Sequence, residues 1–193
     1  LMKMHKRLHL GCGKRYLEGY IHIDINELDH IDHVTSVDDL SMFSDNSVKE
    51  IYGSHLLEYF DKFEVQSVLK EWKRVLEPGG ELKLAVPNFE NLVKVYSETL
   101  DINNVEGPII GRWEVNKKGE NHTLFHKQIF DEKKLTTLLK ESGFVKIVKW
   151  DWRKFNEKNP GYDDHSQAYF PHMDKDNGIH VSLNLMCNKP LSL

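Results

Sequence analysis

RLHLGCGKRYLEGYIHIDIN, residues 7–26, sets two short strand-like runs, Arg7–Leu10 and Ile21–Ile25, on either side of a glycine bend. A strand that empties into Leu10-Gly11-Cys12-Gly13 offers positions without side chains, where a ligand can lie against the backbone and meet its amide hydrogens. Alone, such a bend can simply reverse the chain. Asp24 shifts the balance. It ends the second strand, which lies beside the first in a parallel arrangement, so its carboxylate can accept both hydroxyl hydrogens of a ribose. A dinucleotide fingerprint would want a third glycine where Tyr16 stands and an acidic residue much farther on. A nicotinamide-dependent oxidoreductase is therefore disfavoured.

Outward from this stretch, strand-like runs alternate with amphipathic helical ones, the pattern of an α/β sheet covered on both faces. A weak strand ends near Val37, and Ile51 and Tyr52 mark a fourth. From residue 64 to 76, Val65, Val68, Leu69, Trp72, Val75 and Leu76 recur at three and four, one face of a helix that Pro78-Gly79-Gly80 stops. Leu82, Leu84 and Val86 alternate as a buried strand, and Pro87-Asn88 closes it before a helix reaching Leu100. Residues 101–128 read as irregular. Asp131 caps a helix through Leu135, Leu138 and Leu139, which Gly143 ends. Residues 144–152 and 180–187 read as the last two strands, antiparallel at one edge.

The length of 193 residues suits one domain, residues 1–193, and 39% hydrophobic with 29% charged residues is the composition of a folded chain. A net charge of -4 with dispersed Lys and Arg leaves no contiguous basic footprint, so no nucleic-acid partner is expected. Cys12 and Cys187 stand far apart, which suits a reducing cytoplasm, and no run long and apolar enough for a signal peptide or membrane span is present.

LHLGCG (8–13), the Ile23-Asp24 pair, SDNSVKEIYGSHLLEYF (44–60) and VLEPGGELKLAVPN (75–88) occur in this order. Together they resemble a class I S-adenosylmethionine-dependent methyltransferase. HKQIFDEKKLTTLLKESGF (126–144) and the compact glycine-to-Asp24 spacing resemble the bacterial kind associated with sugars and other small molecules. The resemblance implies a Rossmann-like three-layer sandwich, its seven-stranded, mostly parallel sheet having the last strand antiparallel. It also implies S-adenosylmethionine across the carboxyl ends of the first strands. Carried over, Leu10, Gly11, Cys12 and Gly13 border the methionine part, Asp24 and Ile25 the ribose, Asp38, Asp39 and Leu40 the adenine, and Ser54 and His55 the sulfonium. Two departures stand out: His9 replaces an acidic residue before the glycines, and residues 14–20 leave the first crossover helix shortened. Loop amides, helped by Lys14 or Arg15, would then have to hold the methionine carboxylate.

Methyl transfer from a sulfonium asks for alignment and exclusion of water, with a general base when the acceptor is a hydroxyl. His55, just after the fourth strand, is the first candidate for that base, oriented by Glu58. The competing reading makes His55 a helix cap and Glu58 a solvated first-turn acid. His126 is the second candidate, on a segment over the pocket with Trp113 as an apolar wall. With His122 it would need further ligands to hold zinc, and no metal is expected. The loop Gly161–Ser166 is a further substrate-side candidate. The expected activity is methyl transfer to a small molecule or glycan precursor, oxygen favoured over nitrogen. The alternative is a module that binds the cofactor and has lost catalysis.

Overall fold

A computed structural model describes residues 5–117 and 119–191. Strands β1 (Lys6–Leu10), β2 (Ile21–Asp24), β3 (His33–Val34), β4 (Val48–Ser54), β5 (Leu76–Pro87), β8 (Val145–Lys149) and β11 (Ser182–Asn188) form one sheet in the order β3-β2-β1-β4-β5-β11-β8. β11 pairs antiparallel with both β5 and β8, and the other neighbouring strands are parallel. This is the expected seven-stranded α/β sheet with its last strand reversed. The chain leaves β1 toward β2 on one side, and β4 leads to β5 on the other. The carboxyl ends of β1 and β4 therefore flank the switch point where such sheets bind ligands.

Strand parity divides the core. Leu8, Leu10, Ile23, Ile51, Leu82 and Leu84 point to one face, where α1 (Glu64–Val75) and α4 (Glu132–Glu141) bury Val68, Leu69, Trp72, Leu135 and Leu139. Trp72 is enclosed, and its indole Nε1–H donates to Val37 O at 2.8 Å, tying α1 to the segment before β4. Trp72→Phe should lower stability by about 1–3 kcal/mol, the cost of leaving that carbonyl buried without its donor. Urea unfolding checks this, a lower midpoint with unchanged slope being the expected result.

The opposite face is built differently from the sequence expectation of a shortened first helix. Residues 11–20 form turns and no helix. The space over Tyr52 and Ala85 is covered instead by Leu17 from that connection and by Trp150, Trp152, Phe155 and Tyr162 from the far end of the chain. Tyr52 stacks on Phe155 with centroids 4.9 Å apart. Helix α5 (Trp152–Lys158), capped by Asp151 onto Arg153 N–H, thus supplies part of the missing layer, and the strand read over 144–152 ends at Lys149. The cover is held from below by Asp164, whose Oδ2 accepts the hydroxyls of Tyr52 at 2.5 Å and Tyr162 at 2.9 Å. Its Oδ1 accepts Ser166 N–H at 2.7 Å.

Residues 101–128, read as irregular, contain structure. After α2 (Phe89–Thr99), helix α3 (Asn103–Ile110) leads into a hairpin of β6 (Trp113–Lys117) and β7 (Glu120–Leu124). A two-residue pair, β9 (Tyr169–Phe170) with β10 (Ile179–His180), precedes β11. Among the described residues, no helix is long and apolar enough to cross a membrane.

Candidate active site

The glycine bend and Asp24 converge. Gly11 and Gly13 have φ of 60° and 54°, the left-handed region that side chains disfavour. A β-carbon on Gly11 would also fall 2.6 Å from Leu56 Cδ1. Asp24 is buried, and its Oδ2 accepts Gly13 N–H at 2.8 Å across the bend. Its Oδ1 accepts both N–H groups of Asn26, backbone at 2.8 Å and side chain at 2.9 Å. Oδ1 is thereby filled, whereas Oδ2 keeps a lone pair for an incoming hydroxyl. A second hydroxyl would need the Asn26 amide to turn away.

That amide is tied to the hairpin. Asn26 Oδ1 accepts Asn116 N–H at 2.9 Å, and Trp113 Cζ2 lies 3.7 Å from where a β-carbon on Gly13 would be. The β6–β7 hairpin thus leans over the bend, with the Trp113 ring beside Gly13. At the end of β4, Ser54 Oγ is buried and has no hydrogen-bond partner among the described residues. An open lone pair on Asp24, an orphaned hydroxyl and side-chain-free strand ends fit a nucleoside-bearing ligand.

The other proposed positions are less uniform. Asp38 and Asp39 are exposed, while Leu40 lies in the core with its N–H on Glu71 Oε1 and its carbonyl on Arg74. Ile25 is half-buried beside Asp24. Lys14 is exposed, and Arg15 is half-buried with Nε donating to Asp163 O at 2.9 Å. His9 is buried and points to the aromatic cover, with Nε2 3.2 Å from the Tyr162 hydroxyl. Burial holds it neutral, its pKa down to about 3.

His55 and His126, far apart in sequence, meet around Glu58. His55 has φ of 51°, a strained value for a side-chain-bearing residue, and Nδ1 lies 3.8 Å from Glu58 Oε1. His126 Nε2 lies 3.7 Å from the same oxygen. Glu58 is wholly buried in the helical turn Leu57–Tyr59, so the reading of it as a solvated acid is overturned. Its backbone carbonyl takes Lys127 and Gln128 N–H, which seats the His126 segment. His122 is exposed on β7, apart from this cluster, and among the described residues no group of three or more His, Cys, Asp or Glu is arranged to hold a metal. His165, exposed in the 161–166 loop, brings its ring centroid within 5.2 Å of that of His55.

Residues 8–84 match the family profile described as a methyltransferase domain, a stretch that contains the bend, Asp24, Ser54, His55 and Glu58. A solved S-adenosylmethionine-dependent methyltransferase from Methanosarcina mazei is similar over 99% of this chain and 95% of its own, with 21% identity and a TM-score of 0.56. The fold is that of the S-adenosylmethionine-dependent methyltransferases. A methyltransferase from Thermotoga maritima, described as a possible histamine N-methyltransferase, matches at TM-score 0.57 and 15% identity, covering 95% of this chain and 82% of its own. The 1,6-didemethyltoxoflavin-N1-methyltransferase of Burkholderia thailandensis, solved with its substrate and S-adenosylhomocysteine, matches at 0.51 and 13%, covering 95% and 70%. No curated protein matches the chain.

The sequence reading pairs Glu58 with His55 and names the loop that carries His165, but an acid three residues after a histidine and a histidine in a polar loop are both common. The one usable clue to Glu58 was its place in the turn directly after β4.

Proposed function

We propose that residues 1–193 work as one methyltransferase domain that transfers a methyl group from S-adenosylmethionine to a small-molecule or glycan-precursor acceptor in the cytoplasm, a hydroxyl being the favoured target. The observation that carries this is the Asp24 carboxylate hydrogen-bonded to the glycine bend with a lone pair left open. Asp24 would hold the ribose, the backbone of Leu10–Gly13 with Arg15 the methionine end, and Ser54 and His55 the region of the sulfonium. Ile25 would border the ribose, and Asp38, Asp39 and Leu40 the adenine edge, the two acids being exposed and Leu40 buried.

Bound there, the cofactor supplies an electrophilic methyl on a positively charged sulfur. The chain's own part is to align the acceptor, shed water and receive a proton. Trp113 and Leu56 wall the site, and His55 and His126 offer neutral imidazoles: burial lowers both their pKa values, His165 adding to the effect. The separate, buried thiols of Cys12 and Cys187 suit a reducing compartment. No role for nucleic acid or a membrane surface is included.

The test has two stages. S-adenosylhomocysteine at about a hundred times its Kd should stabilise the folded chain by about 2.7 kcal/mol, and NAD should not. Incubation with S-adenosylmethionine and a panel of hydroxylated and amino acceptors should then release S-adenosylhomocysteine and a methylated product. A chain stabilised by NAD and indifferent to S-adenosylhomocysteine would sink the reading.

A further inference from the structure

Both oxygens of Glu58 are buried without a hydrogen-bond partner among the described residues, although two imidazoles face the group. The hydrogen-bond network fixes which nitrogens do so. Asn184 Nδ2 donates to Ser166 O at 3.0 Å, which turns its Oδ1 toward Ser182. Ser182 Oγ–H donates to that Oδ1 at 2.8 Å, so its oxygen is left to accept from His55 Nε2 at 3.0 Å. His55 therefore carries its hydrogen on Nε2 and presents a bare Nδ1 to Glu58. His126 Nδ1 lies 3.0 Å from Pro108 O, a pure acceptor, so it donates there and presents a bare Nε2 to Glu58.

Three lone-pair groups thus meet in a buried space. Without a proton among them they repel one another, and at 3.8 and 3.7 Å neither nitrogen is within hydrogen-bond reach of Oε1; with one proton on the trio, a small approach lets a single group donate to either neighbour. Burial settles where it rests: it lowers both imidazoles and pushes the Glu58 carboxyl up to about 8. The other groups facing the trio are Tyr59, Arg15, His165 and His180. Arg15 and His180 add to the lowering of His55, and none is a second carboxylate that would compete for the proton; burial raises the Tyr59 phenol, which keeps its own.

We propose that Glu58 is the positioning residue of this site, holding His55 and His126 through one shared proton, and that the methylated group is a neutral hydroxyl or amine whose proton the trio takes up. This rests on the methyl-transfer reading above. In the working state the trio has given up one proton to solvent: Glu58 is ionised, the single hydrogen of His55 sits on Nδ1 facing it, and Nε2, bare, exchanges its Ser182 partner for the acceptor. The acceptor's oxygen or nitrogen bonds to the methyl carbon as the carbon–sulfur bond breaks, the bonding pair staying on sulfur. Its proton passes to His55 Nε2, and the Nδ1 proton passes to Glu58, which restores the tautomer seen in the structure. An acceptor that is already an anion would have no proton to give and no use for this arrangement.

The test uses the whole chain and Glu58→Gln, which keeps the shape and cannot ionise. Two readouts need neither cofactor nor acceptor. In the wild type, the side-chain nitrogen resonances of His55 and His126 should shift through an apparent pKa near 8, and in E58Q that step should be absent. The folded-state pKa of about 8 lies above the ordinary 4.5, so the stability contributed by Glu58 is fully present below about 4.5 and is lost as the pH rises through 8. Relative to E58Q its folding equilibrium should fall on the order of a thousand-fold across that window. A missing step in the wild type, the same step in E58Q, or parallel stability curves would overturn the proposal. With a methylated acceptor in hand, kcat/KM should rise through the same pH in the wild type and stay flat in E58Q. Equal methylation of a carboxylate acceptor by both proteins would overturn the acceptor class. A titration step with no turnover on any acceptor would instead fell the methyl-transfer reading and leave the proton on Glu58 standing.

Discussion

Asp164→Ala should destabilise the fold by about 3 kcal/mol, more than its position in a polar loop suggests. Tyr52 is fully buried on β4, and its hydroxyl reaches Asp164 Oδ2 at 2.5 Å. Removing the carboxyl leaves that hydroxyl in an apolar layer with no acceptor, at about 1–3 kcal/mol, and releases the Ser166 amide as well. Tyr162 loses less, because its hydroxyl can turn to His9 Nε2 at 3.2 Å. Tyr52, Phe155 and Tyr162 belong to the one aromatic cluster that covers this face of the sheet, so the loss should not stay local. Equilibrium denaturation of Asp164→Ala, Tyr52→Phe and the double variant checks this. The double variant should be clearly less unstable than the sum of the singles, since Tyr52→Phe removes the stranded hydroxyl. Additive losses would mean that the cover does not hang on this contact.

The same contact shows why one part of the molecule was legible and another was not. The bend at Gly11–Gly13 and the carboxylate at Asp24 are eleven to thirteen residues apart, and the link between them is a backbone amide that strand pairing brings into place. Local pattern was enough. Helix α1 was equally plain, because its buried residues repeat at helical spacing. Tyr52 and Asp164 are 112 residues apart, and nothing near either one announces the other. Helix α3 contains Gly107 and Pro108, both poor helix formers, and the two strands of the hairpin after it are exposed at every position except Val115 and Leu124, so neither periodicity shows. Trp150-Asp151-Trp152 reads as a strand by composition, and only the cap from Asp151 turns it into the start of α5. At the site, His55 could be placed by its position after β4. Its meeting with His126 at a buried acid depends on the connection from β7 to α4 lying against residues 58–60 through Lys127 and Gln128, a tertiary contact.

Asp24→Ala should weaken binding of S-adenosylmethionine and S-adenosylhomocysteine by about 1.5–3 kcal/mol, roughly ten- to a hundred-fold, the range for a lost charged hydrogen bond. Two effects act in the same direction. The ribose loses its carboxylate, and the bend loses the acceptor that holds Gly13 N–H at 2.8 Å. Asp24→Asn separates them: its carbonyl oxygen can still accept from Gly13 while the group loses its charge and half its acceptor capacity. Calorimetry on both variants, with circular dichroism to confirm folding, should place Asn between the wild type and Ala. There is an opposing term. The carboxylate already serves both N–H groups of Asn26, and the Asn26 side chain also anchors the hairpin at Asn116, so part of its binding strength goes into exchanging partners. The net loss therefore belongs at the lower half of the range if the Asn26 amide must turn away, and at the upper half if the ribose uses Oδ2 alone. A folded Asp24→Ala that binds cofactor as the wild type does would remove the anchor on which the nucleoside assignment rests.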